Sequence, residues 1–243
     1  MRIKTFVIAV AFALALFLFA QHRPVAQSQA GFHGVLDLTH FAPSSHNSLK
    51  LLSSGRENSL QLATRMDAPA HLVSGMWTAG QIPPERLIAP LVVLDVTAAA
   101  AANPDYQVGV EDIAKWEKVN GQIPLGAVVM ARTGWEARWS SPRSYLNPDG
   151  KGITHFPGYS ADAARFLVEG RNVMGLGIDT PAVDPGNSTK LPVEQYTLAH
   201  SVYHLDNVAN LDRTPTNGAI VVVAPLKVES REQVPARIFA LIR

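Results

Sequence analysis

The run "LVVLDV", residues 91–96, decides how this chain folds. Leu91-Val92-Val93-Leu94 is apolar at every position, with no polar face to turn toward water. Such a run suits a strand covered on both faces, as in sheets flanked by helices. Similar runs occur at residues 35–38, 127–131, 173–178 and 219–224, and residues 201–205 also read as a strand. Helical stretches lie between them. One covers 110–119, after Gly109 and before Asn120-Gly121. The other covers 160–169, with Ser160 as N-cap, Asp162 in the first turn and Gly170 as its stop. The alanine run 98–102 ends at Asn103-Pro104 and reads as a loop or helix edge. Strands alternating with helices predict an α/β domain. Their irregular spacing favours a mixed sheet over a regular doubly wound one.

The chain has 243 residues, 47% of them hydrophobic, which is enough for a large core. Residues 1–30 carry Arg2, Lys4 and Arg23 and no acid; without them 18 bases face 20 acids, a balance of −2. No basic run or aromatic platform points to nucleic acid. Arg2 and Lys4 precede an apolar run of fifteen residues from Phe6 to Ala20. Ser28-Gln29-Ala30 before Gly31 fits a small-x-small cleavage site. Residues 1–30 are therefore expected to be an export signal, or in the alternative an uncleaved anchor. The folded part, 31–243, is expected outside the cytoplasm, periplasmic or secreted, and free of the membrane after cleavage. There is no cysteine, which excludes disulfides, thiolate metal sites and a Cys nucleophile.

Polar residues gather at a few places. "DTPAVDPG", 179–186, follows an expected strand, so it reads either as a site loop or as an ordinary turn. His200 and His204 are four apart, but the strand-like sequence around them argues against a helical metal pair. Asp206, Asn207, Asn210 and Asp212 are denser in polar groups than a turn needs. "TRMDAPAH", 64–71, places Asp67 and His71 around a proline, with Arg65 beside them.

The blocks "DLTH" at 37–40, "DAPAH" at 67–71, "IPPERLIAPLVVLDV" at 82–96, "RTGW" at 132–135 and "FPGYSADAARFL" at 156–167 occur in that order. They are followed by "GIDTPAVDPG" at 177–186, "NVANLD" at 207–212, "APLKV" at 224–228 and "PARIFAL" at 235–241. Together they resemble the cyclase family of hydrolases, which includes kynurenine formamidase (arylformamidase) and isatin hydrolase. The resemblance implies one α/β domain with a mixed, barrel-like sheet, and a homo-oligomer. It also implies hydrolysis of a carbon–nitrogen bond in an amide, formamide or cyclic amide, on a small aromatic substrate.

The family pattern His-x-Gly-Thr-His-x-Asp-x-Pro-x-His falls on residues 61–71. Asp67 and His71 match it, but the two leading histidines are Gln61 and Arg65. The resemblance further implies a His twelve residues before a Glu, where this chain has Glu194 and Asp206. In the family a divalent metal (Mn, Mg, Ca or Zn) sits on such positions. Here two readings stay open. Gln61, Asp67, Glu194 and Asp206 form an oxygen-only set suited to a hard cation. Alternatively, the Arg65 guanidinium stands in for the metal. Catalytic candidates are His71 as acid/base, Asp67 to orient it and Arg65 to stabilise an oxyanion. His40 is a weaker candidate for substrate contact. The alternative function is an inactive exported binding protein for a small aromatic or acidic ligand.

Overall fold

The computed structural model describes residues 31–41, 63–228 and 232–243. The span His33–Arg243 forms one compact unit. It starts with β1 (Gly34–Asp37), β2 (Arg65–Asp67) and β3 (Ile88–Asp95). Helix α1 (Thr97–Ala102), β4 (Gln107–Val108), α2 (Val110–Asn120) and β5 (Val128–Arg132) follow. Next come α3 (Pro142–Leu146), β6 (Gly158–Tyr159) and α4 (Ala161–Arg165), which continues as a π-turn over Phe166–Gly170. The chain ends with β7 (Gly175–Ile178), α5 (Pro192–Ala199), β8 (Tyr203–Asp206), β9 (Ile220–Pro225) and β10 (Gln233–Ile242).

Seven strands close on themselves in the order β10–β2–β8–β7–β5–β3–β9, with β9 returning to β10. Neighbours from β3 through β5 and β7 to β8 run parallel; the other junctions are antiparallel. β1 pairs with β10 beside the ring, and β4 and β6 form a separate short ladder. A closed mixed barrel has no long unpaired edge, so its backbone groups are satisfied internally.

The alternation of side chains splits the apolar residues into two layers. Leu91 and Val93, Val128 and Met130, Tyr203 and Leu205, and Met66 pack with alternate residues of β9 and β10 inside the barrel. Val92, Leu94, Val129, Ala131, Leu176 and Ile178 face outward, against Ile113 and Trp116 of α2, Ala163 and Ala164 of α4, and Val193 of α5. The absence of a polar face in "LVVLDV" thus follows from burial on both sides.

Ser160 caps α4 by accepting from Ala163 N at 3.1 Å, as its sequence predicts. Gly121 (φ +84°) ends α2 in a conformation that favours glycine. The alanine run is a helix rather than a loop. Asp95 Oδ1 accepts both Thr97 N–H (3.0 Å) and Thr97 Oγ1–H (2.7 Å), which starts the turn, and five alanines propagate it. Besides the two-residue β4 and β6, two strands of the barrel are not evident in the sequence. β2 has only three residues, two of them charged. β10 crosses proline and changes neighbours along its length.

Candidate active site

β2 lies between β10 and β8. The register sets Arg65 opposite Asp206, and Asp67 opposite His204 on one side and Gln233 on the other. Met66, Leu205 and Val234 alternate with these residues and enter the barrel core. Arg65, Asp67, His204, Asp206 and Gln233 therefore project together from the outer face. Helix α5 and the 3-10 turn Pro69–His71 supply the remaining residues.

Arg65 is buried, at 5% exposure. Its Nε donates to Asp67 Oδ1 (3.2 Å), and Nη2 donates to the Pro181 carbonyl (2.7 Å). Nη2 also lies 2.7 Å from Asp206 Oδ2. Nη1 is buried without a hydrogen-bond partner, as are both Asp206 carboxyl oxygens, so the Nη2–Asp206 contact is an ion pair without an aligned hydrogen bond. Burial works against the charge of Arg65, but Asp67, Asp206 and Glu194 outweigh it and hold its pKa above the ordinary value. Burial pushes Asp206 above the usual carboxylate range; Arg65 pulls it down, and Asp67 and Glu194 push it up further. Burial also raises Glu194 to about 8, reinforced by Asp67 and Asp184. Protons held on these acids lessen the negative charge the guanidinium has to balance.

Glu194 is placed by the loop the sequence singled out. Asp184 accepts Val193 N (3.2 Å) and Glu194 N (2.8 Å), capping α5 from outside the helix. Asp179 accepts Thr133 N (2.9 Å), Thr133 Oγ1 (2.6 Å) and Gly134 N (2.8 Å), so it binds "DTPAVDPG" to "RTGW". Both acids of this loop hold backbone, and its contribution to the cluster is the Pro181 carbonyl.

His71 is half-buried on its turn. Gln233 Nε2 donates to Asp67 Oδ2 (2.9 Å) and lies 3.1 Å from His71 Nε2. An amide nitrogen only donates, so Nε2 of the ring accepts and the neutral imidazole carries its proton on Nδ1. His204 is wholly buried. Its Nε2 is 2.6 Å from Thr197 Oγ1, which itself donates to the Val193 carbonyl (2.7 Å). His204 Nε2–H is therefore the donor, and Nδ1 is a buried acceptor without a partner. Burial lowers the His204 pKa to about 4.

The structure thus gathers Arg65, Asp67, His71, Glu194 and Asp206, while Gln61 lies outside the described residues. His40 stands apart, stacked on Trp139 with ring centroids 4.0 Å apart and with Nε2 3.9 Å from Glu136. His200 is exposed at the end of α5, 2.7 Å from the Tyr196 carbonyl, and does not join His204. Asn207 joins the site to its frame: Tyr145 donates to its Oδ1 (2.9 Å), and its Nδ2 donates to Ala63 O (2.8 Å). Gln233 and Thr197 are absent from the sequence reading. Only the pairing of β10 with β2 and the packing of α5 on β8 bring them in.

A cavity of about 450 Å³ opens at the C-terminal ends of β5 and β7, lined by Arg132, Glu136, Asp179, Asn210 and Asp212. Its innermost acids are occupied: Asp179 as above, and Glu136 by the Asn210 amide at 2.8 Å.

A closed mixed barrel with a polar cluster under one outer helix places this chain among known folds. The cyclase family pattern matches residues 31–185. Isatin hydrolase of Roseibium aggregatum is 35% identical over 189 residues, covering 74% of this chain and 70% of that protein. Kynurenine formamidase of Salinibacter ruber is 26% identical over 179 residues, covering 74% of each. The solved structure of isatin hydrolase A from Labrenzia aggregata bound to benzyl benzoate superposes with a TM-score of 0.75 at 30% identity. That match covers 86% of this chain and 93% of the other. The chain belongs to the cyclase family of hydrolases.

The family resemblance implies a divalent metal, and the described residues do not fit one. Asp67 and Asp206 already face a guanidinium, and no three His, Asp or Glu side chains among the described residues are arranged to hold an ion.

Proposed function

We propose that this protein hydrolyses a carbon–nitrogen bond in a formamide or cyclic amide of a small aromatic substrate. The observation that carries the reading is His71, fixed as one tautomer and linked through Gln233 and Asp67 to a buried guanidinium whose Nη1 has no partner. Water displaces the Gln233 amide at His71 Nε2, and Nε2 takes a proton from it as the water oxygen attacks the carbonyl carbon. Arg65 Nη1 donates to the oxygen that gains charge. Glu194, with a pKa raised to about 8, is protonated at neutral pH and supplies the proton to the leaving nitrogen as the C–N bond breaks. The products are a carboxylic acid and an amine; a cyclic amide yields both on one molecule. The relatives named isatin hydrolase and kynurenine formamidase support this substrate class.

The test is hydrolysis of isatin and of N-formylkynurenine, followed by absorbance. Turnover of either one, falling by about 10²–10⁴-fold in His71→Ala, is the expected result. Saturable binding of both without turnover would instead make this an exported binding protein. The basic, apolar and small-residue order of residues 1–30 supports export, and sequencing the mature N-terminus tests it; 31 is the expected first residue. Family resemblance supports a homo-oligomer, which light scattering would detect.

A further inference from the structure

We propose that Arg65 is the resident cation of this site, and that the chain binds no divalent ion between Asp67, Glu194 and Asp206. The inference rests on the geometry of the cluster and does not depend on which substrate is turned over.

Two carboxyl groups from two strands lie on one guanidinium, Asp67 from β2 and Asp206 from β8, and Glu194 on α5 is near enough to favour its charge. Nε and Nη2 are already used on Asp67, Asp206 and the Pro181 carbonyl, at 2.7–3.2 Å. A guanidinium stays protonated at any working pH. A dication bound to the same carboxylates would lie within a few ångströms of it, in a buried place where water screens little.

Arg65 is held at both main chain and side chain. Its backbone pairs on both sides, with Asp206 of β8 and Pro235 of β10. Its side chain is covered, hydrogen-bonded to Asp67 and the Pro181 carbonyl and ion-paired with Asp206. The charge a metal would bring is therefore supplied by the chain, and it carries one free, buried donor, Nη1. A metal offers an open coordination position; this site offers one N–H, which suits a carbonyl or carboxylate oxygen.

The test uses full-length mature protein prepared without a metal-affinity tag. Metal content is measured by mass spectrometry, and MnCl₂ and ZnCl₂ are then titrated by calorimetry. The expected result is no stoichiometric ion at purification and no heat of binding that depends on Asp206. One ion per chain, lost in a folded Asp206→Asn variant, overturns the proposal. An ion unaffected by Asp206→Asn lies elsewhere and agrees with it. The converse variant, Arg65→His with Glu194→His, removes the cation and adds two imidazoles. It should bind Zn²⁺ at least tenfold more tightly than the natural chain, and no gain counts against the proposal.

Discussion

Gln233 occupies the one free lone pair of the neutral His71 ring, so under the proposed function an attacking water has to displace the amide before Nε2 can take its proton. Its amide has two N–H groups, and the two acceptors nearest to it are Asp67 Oδ2 and His71 Nε2. Binding both fixes the imidazole tautomer and its angle to the cluster. Gln233→Leu should therefore lower kcat about 10–100-fold with KM little changed, because a reacting group is misplaced while binding surface is kept. Nitrogen NMR of the His71 ring should change from one tautomer to a mixture, which a purely structural role would not cause. Arg65 is the more severe position. Arg65→Met strands Asp67 and Asp206, leaves Glu194 without a nearby cation, and is expected to cost about 3–5 kcal/mol, read by denaturant unfolding. If the loss stays below 1 kcal/mol, the three carboxyl groups do not depend on the guanidinium.

At the scale of elements, helix α5 decides whether Glu194 reaches the cluster, and Asp184 decides whether α5 starts where it does. Asp184 receives the two N–H groups at the helix's first turn. Asp184→Ala should cost about 1 kcal/mol as a lost cap, seen as a lower Tm. It should also cut activity more than that loss of stability explains, because Glu194 shifts with its helix. The elements were legible in the sequence where burial is two-sided. β3, β5 and β7 lie between the barrel core and the outer helices, so their runs are apolar throughout. β2 escaped notice for the opposite reason. Only Met66 enters the core, and both its neighbours are charged, so "RMD" carries no strand signal, although all three residues are buried. The motif around Asp67 and His71 was legible as chemistry. The contribution of Gln233 was not, because a distance of 166 residues in the chain is closed only by strand pairing.

At the scale of the whole molecule, the polar groups the barrel buries set how stability depends on pH, and His40 isolates one of them. Its ring stacks on Trp139, its Nε2 has no hydrogen-bond partner, and burial lowers its pKa to about 4. The unfolded chain takes up this proton near pH 6.5, before the folded chain does. The contribution is therefore complete above pH 6.5 and is lost as pH falls toward 4, by about 1.4 kcal/mol per pH unit. His204 acts in the same direction over the same window. Glu194 acts oppositely. With a folded pKa of about 8, it holds a proton that the unfolded chain has lost, so its contribution is complete below pH 4.5 and is lost as pH rises from 4.5 to about 8. His40→Phe keeps an aromatic ring on Trp139 and removes a buried nitrogen that makes no hydrogen bond and lies 3.9 Å from Glu136, so it should leave stability at pH 7 equal or higher. Between pH 6.5 and 4, the acid limb of the variant should be shallower than that of the natural chain by about 1.4 kcal/mol per pH unit. Urea unfolding at pH 7, 6, 5 and 4.5 measures both curves. Parallel curves would mean that His40 accepts a proton in the folded protein as readily as in the unfolded one, and that the Trp139 stack does not keep it neutral.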